Sequence, residues 1–108
     1  MDSKGDVALK YDEDKIDWLI MPYVALEEVS KVMVFGQRKY FRGNYRNGFE
    51  YLRLLNAAMR HIISFARGED KDPESGLSHL AHACCCILML MTNIAEGKGV
   101  DNRKETII

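Results

Sequence analysis

Apolar residues recur along this chain with the three-to-four-residue spacing of helices, and no stretch alternates convincingly as a strand would. Leu26, Val29, Val32 and Met33 predict a helix that Pro22 opens at its first position and that ends near Gly36. Leu52, Leu55, Met59, Ile62, Ile63 and Ala66 predict an apolar face on a second helix, from Phe49 to Arg67, with Gly68 as its stop. In the stretch DPESGLSHLAHACCC, Asp72 is the predicted cap of a third long helix. Pro73 takes its first position and Glu74 sits in its first turn, where the dipole favours an acid. That helix continues to Gly97. Ahead of these, Asp12 predicts a cap for a short helix carrying Ile16, Trp18, Leu19 and Ile20.

The expected fold is therefore all-α: a small bundle of three long helices plus a short N-terminal helix. Residues 1–11 read as a loose arm and residues 98–108 as a tail ordered only by packing on something. Residues 84–91, CCCILMLM, are apolar on every side. A helix apolar all round must be buried all round, and one layer of neighbours hardly covers it in so small a domain. Completion by a second subunit follows, as a homo-oligomer, dimer or tetramer.

Length and composition narrow the reading. The chain of 108 residues is one domain with room for one core, and its 47% apolar content suits a folded protein. The net charge of −1 excludes a strong field for long nucleic acid. Its distribution is uneven, however. Residues 1–28 hold eight acids and three bases, whereas residues 29–67 hold one acid, Glu50, and eight bases. A local electropositive zone of this kind suits a small anionic ligand. No stretch is long and apolar enough to span a membrane, and the polar, acidic start is no secretory signal. The three cysteines are consecutive, with side chains about 100° apart on a helix, too divergent to bridge one another. They read as reduced thiols of a cytoplasmic protein.

Three constellations carry candidate chemistry. Glu27 and Glu28 are candidate ligands for a hard cation such as Mg²⁺, against the plain alternative of a solvated helix face with a Glu27–Lys31 pair. Arg38, Lys39, Arg42 and Arg46 lie among Tyr40, Phe41 and Tyr45, and Arg53, Arg60 and Arg67 recur every seven residues, joined on their stripe by Asn56 and Ser64. Guanidinium forks match phosphate oxygens and aromatic rings stack on bases; the alternative is a basic surface face. His61 stands beside Arg60, and His79 and His82 lie three residues apart. A structural zinc site wants four ligands from separate elements, and no CxxC or HExxH occurs. Histidines that hold phosphates or a base edge fit better; the plainest reading makes them core histidines bonded to backbone or to Glu74.

The order ALEEVSKVMVFGQRKY, GNYRNG, AAMRH, GEDKDPESGLSHLAHACC and GKGVDNR, from about Lys10 to Arg103, resembles the phage-associated family of dATP/dGTP diphosphohydrolase N-terminal domains. That family looks related to the MazG-like all-α nucleotide pyrophosphohydrolases. The resemblance implies cleavage of a deoxynucleoside triphosphate to the monophosphate and pyrophosphate with Mg²⁺, by a phage-encoded protein in the host cytoplasm. It implies metal ligands among Glu27, Glu28 and Glu74, and nucleotide contacts from Lys39, Asn44, Arg60, His61, His79 and His82; Arg53 and Asn56, from the arginine stripe, are further candidate nucleotide contacts. Glu28, His79 and His82 are the implied catalytic set. Two departures open an alternative. MazG-like enzymes show two carboxylate pairs, ExxE and ExxD, whereas Lys31 stands three residues after Glu28, and Asn56 stands where an Asp precedes the AAMRH run in relatives. Neither side chain replaces a carboxylate at a hard cation. A non-catalytic sponge that sequesters a nucleotide signal of host immunity is the alternative reading.

Overall fold

The computed structural model describes residues 7–105, and within them the chain is helical. Three long helices follow in order: α1, Tyr23–Lys39; α2, Tyr51–Ala66; and α3, His79–Ala95. Single 3-10 turns lie at Trp18–Ile20, Asn44–Asn47 and Arg103–Glu105. Among the described residues, no helix is long and apolar enough to cross a membrane. The first six residues of the expected arm and the last three of the tail lie outside the described residues.

Helix α3 is the central element. One side of it meets α1, where Ala81 and Cys85 pack on Val29 and Val32 with Met33 and Met89 around them. Another side meets α2, where Ala83 and Cys86 pack on Ala58 beside Ala57. Small side chains in that second seam let the backbones approach closely, so α2 and α3 form the tightest helix pair. The three thiols are free, as expected of consecutive cysteines. Burial pushes the Cys85 thiol up to about 12, and the two neighbouring cysteines add to the effect, so it is an inert part of the core.

The side of α2 expected to be its core face is not the side it buries in the single chain. Leu54 and Ala58 are buried, whereas Leu55, Met59, Ile62 and Ile63 are 36 to 51% exposed. Similarly, Cys85 and Cys86 are buried on α3, but Ile87, Leu88 and Met91 are not. Leucine, isoleucine and methionine dominate any hydrophobic pattern, yet close helix packing here selects alanine and cysteine. The bulky residues form an uncovered apolar face shared by α2 and α3.

Both termini of the expected elements shift for local reasons. Asp14 adopts a left-handed conformation (φ 67°), which breaks a helix started from Asp12. Only the turn at Trp18–Ile20 forms, and Asp17 caps it, accepting from the Leu19 N–H at 3.1 Å. The larger shift is at α3. Residues 72–76 make one isolated turn, with the Asp72 carboxylate accepting from the Ser75 N–H at 2.9 Å. Gly76 then takes a φ of 71°, which ends helical progress. The chain makes a bridge between Lys71 and Ser78, and Ser78 caps the true helix by accepting from Leu80 and Ala81.

Within the described residues, the tail pairs with the start of α2. Val100 exchanges backbone hydrogen bonds with Phe49 and Tyr51 at 3.1 and 2.9 Å. Asn102 reaches the first turn of α2, where its Oδ1 accepts from the Leu52 N–H at 3.0 Å. Glu50 provides no side-chain cap there, so a residue 50 positions away supplies it.

Candidate functional site

A groove of about 960 Å³ runs between the C-terminal half of α1, the loop after it, the inner side of α2 and the 72–74 turn. The sequence dictates its charge. Lys39 ends α1, Arg42 and Arg46 come from the loop, and Arg53 and Arg60 extend from α2, all lining the same space. Against these five cations stand two carboxylates, Asp72 and Glu74. Lys39 is already spoken for in part, since its ammonium donates to Glu74 Oε1 at 2.9 Å. Arg60 has no ion-pair partner among the described residues. Phe35, Tyr40, Phe41 and Tyr45 supply aromatic wall.

The loop that carries Arg42 to Arg46 is held from beneath by Asn93, a fully buried side chain on α3. Its Nδ2 donates to the Tyr45 carbonyl at 2.8 Å, and its Oδ1 accepts from the Phe49 N–H at 3.0 Å. Both amide ends are therefore satisfied by loop backbone, which fixes the loop as a rigid wall.

At the inner end of the groove the three histidines meet. His61 on α2 and His82 on α3 stack with ring centroids 4.5 Å apart and planes 13° from parallel. His61 Nδ1 lies 2.8 Å from Nδ1 of His79, which is 3% exposed. His79 Nε2 meets Glu69 Oε1 at 2.6 Å, so the glutamate that partners a histidine is Glu69, not Glu74. His82 Nε2 shares a hydrogen bond with Ser75 Oγ at 2.7 Å and lies 3.8 Å from Asp72 Oδ2. Burial holds the His61 imidazole below its ordinary value, and the neighbouring His82 and His79 push it further the same way. Burial also lowers His82, against the opposing pull of Asp72. For Asp72 burial works upward, but the Ser75 hydrogen bonds and the nearby histidines outweigh it and hold the carboxyl below its usual range.

The structure thus brings together Lys39, Asn44, Arg53, Arg60, His61 and His82 on one groove, with His79 directly behind. Glu74 stands at its rim. Glu27, Glu28 and Asn56 are not on its wall. Glu27 and Asn56 are exposed, and Glu28 pairs with Lys31 at 2.8 Å. The spacing that put Arg67 and Ser64 on the arginine stripe does not carry them into the groove either. Glu69, Ser75 and Asn93 escaped the sequence reading. Only Asn93 gave any signal, as a lone amide in an apolar helix.

A basic groove at the mouth of a helical core, built from the GNYRNG, AAMRH and DPESGLSHLAH blocks, is the context for the comparisons with known proteins. Residues 6–103 match the family model described as dATP/dGTP diphosphohydrolase, N-terminal. The chain belongs to that family. A curated relative, the dATP/dGTP diphosphohydrolase of Salmonella phage PMBT28, is 31% identical over 96 residues, covering 89% of this chain and 33% of the relative. The chain therefore spans about a third of that relative's length. No solved structure matches it.

Proposed function

We propose that the groove binds a deoxynucleoside triphosphate and that the protein cleaves it to the monophosphate and pyrophosphate. The carrying observation is the convergence of five cationic side chains on one groove that holds only two carboxylates. Arg53 and Arg60 are placed to take phosphate oxygens, and charge-assisted bonds of this kind are strong. Tyr45 and Phe41 offer faces for the base. Asn44 contributes a polar edge. His82, oriented by Ser75 and stacked on His61, is the group proposed to accept a proton from the attacking water, with His79 supporting His61 from behind.

The proposed hydrolysis takes Mg²⁺. That ion is commonly held by one or two carboxylates together with substrate phosphates, and the donors on the groove fit this mode through Glu74 and Asp72. When bound, it supplies neutralisation of phosphate charge and a more acidic water. Glu27 and Glu28 do not contribute to the groove of a single chain.

One observation favours the second reading, capture without cleavage. Glu28 is matched by Lys31 and Glu74 by Lys39, which leaves Asp72 as the one groove carboxylate without a lysine. Incubation of purified protein with dATP or dGTP and Mg²⁺ decides between the two. Monophosphate and pyrophosphate that vanish with EDTA and in Asp72→Asn support the enzyme. Tight binding that persists in EDTA with no product supports the sponge, acting in the cytoplasm of a phage-infected host.

The uncovered face of α2 and α3 supports self-association. A second copy of the chain, presenting the same Leu55, Met59, Ile62, Leu88 and Met91 surface, is the proposed cover, since a two-fold pairing is self-complementary.

A further inference from the structure

The histidine cluster at the inner end of the groove is more than a wall for phosphates. Three donors converge there from three separate elements: His61 from α2, Asp72 from the turn before α3 and His79 from the first position of α3. One donor atom from each lies within 4.8 Å of the other two. We propose that His61, His79 and Asp72 form a binding site for a divalent first-row transition metal such as Mn²⁺, Co²⁺ or Zn²⁺, distinct in metal class from the Mg²⁺ that accompanies a triphosphate.

Donor chemistry sets the class. Magnesium prefers six oxygens, whereas two imidazole nitrogens with one carboxylate suit manganese, iron, cobalt, nickel and zinc. The spacing of the two imidazole donors is close to that of a filled site. Two nitrogens each about 2.1 Å from one metal lie about 3.0 Å apart at a right angle and about 3.4 Å apart at the tetrahedral angle. The two Nδ1 atoms stand 2.8 Å apart, so the rings need only separate slightly to admit an ion.

The surroundings are those a metal-binding histidine needs. Ligating histidines commonly give their outer ring nitrogen to a carboxylate, which fixes the tautomer and the ring plane. His79 Nε2 meets Glu69 Oε1 at 2.6 Å, so Nε2–H donates outward and Nδ1 is left with its lone pair facing His61. The parallel stack of His82 on His61 fixes the second ring. Asp72 is anchored through Ser75. Two of the three ligands, His61 and Asp72, line the groove, and a site with three protein ligands is the pattern of one that takes a further ligand rather than a purely structural one.

The site shares Asp72 with the proposed Mg²⁺ position, so the test uses metal alone, with no nucleotide. Protein stripped with EDTA and dialysed is titrated with Co²⁺, followed by visible absorption and calorimetry, and the same is done with Zn²⁺. About one equivalent should bind with micromolar or tighter affinity, and millimolar Mg²⁺ should not displace it. His61→Ala, at a partly exposed position, should weaken binding at least about 100-fold while its helical circular dichroism stays that of the parent. Glu69→Gln, acting only through His79, should weaken it about 10- to 100-fold. Cys84→Ser should change nothing. No uptake of Co²⁺ or Zn²⁺ at about 100 μM, unchanged affinity in His61→Ala, or loss of binding in Cys84→Ser would each overturn the site. Triphosphate hydrolysis with Mg²⁺ is measured separately, so either reading can fail alone.

Discussion

Asn93→Ala tests whether the groove wall depends on a single buried amide. Asn93 has no exposed surface and its two side-chain bonds go to loop backbone, the Tyr45 carbonyl and the Phe49 N–H. Alanine removes both bonds and leaves that carbonyl and that N–H to find partners in a site closed by the loop itself. A buried polar group stranded in this way costs about 1–3 kcal/mol. Taking a value near the lower middle for each of the two gives a loss of about 3 kcal/mol. That is a large share of the roughly 5–15 kcal/mol that holds a domain of this size together. With a urea dependence of about 1.5 kcal/mol per molar, the unfolding midpoint should fall by about 2 M. Where the variant is still folded, affinity for dATP or dGTP should fall as well, because Tyr45 and Arg46 ride on the released loop. Asn93→Asp is the companion. It keeps an acceptor for Phe49 but turns an oxygen toward the Tyr45 carbonyl, so at neutral pH it should be at least as damaging as alanine. A measured loss below about 1 kcal/mol in Asn93→Ala would refute the anchoring argument.

Arg60→Ala should weaken dATP or dGTP binding by about 1.5–3 kcal/mol in calorimetry while the urea midpoint stays put, since its guanidinium has no ion-pair partner among the described residues. Gly48→Ala should cost about 2–3 kcal/mol by urea unfolding, because φ there is 99° and an added Cβ collides with the Gly99 backbone. In metal-stripped protein, His61 and His82 titrate below their unfolded value of about 6.5, so the unfolded chain binds more protons in acid; stability should be level above that pH and fall as pH drops through and below it, and the fall should be shallower in His61→Phe. Leu88→Glu, at a position 39% exposed in the single chain, should leave a folded protein that is monomeric in analytical ultracentrifugation while the parent self-associates, and a monomeric parent at about 100 μM would remove the self-association reading.

The three long helices were legible because apolar residues recur at helical spacing in α1 and α2 and a long apolar run fills α3. Which side of α2 faces inward was not. Hydrophobic strength points to Leu55, Met59 and Ile62, but close approach of two helices is limited by side-chain bulk, and Ala58 against Ala83 and Cys86 permits it. The start of α3 was hidden for a different reason. Asp72, Pro73 and Glu74 satisfy every local rule for opening a helix, and the first turn they make is genuinely helix-like, with the Gly76 N–H bonded to the Asp72 carbonyl at 2.7 Å. Local chemistry cannot distinguish a turn that continues from one that stops. Here the decision falls to Gly76 and to the Lys71–Ser78 bridge beyond it.

That one displaced helix start determines the site. Had α3 begun at Asp72, the residues from Asp72 to His79 would share a continuous helix, and Glu74 would stand about one turn from His79. The separate turn instead swings Glu74 out to the rim, where it meets Lys39, and folds the chain back so that the His79 N–H bonds to the Asp70 carbonyl at 3.0 Å. The same fold-back brings Glu69 behind His79 and Asp72 in front of it. His79, left at the first position of the helix and nearly sealed from water, faces His61 across the α2–α3 seam. The histidine cluster is thus a consequence of a loop that imitates a helix for one turn, and its partners are separated by 3 to 21 residues in a way that no periodicity records.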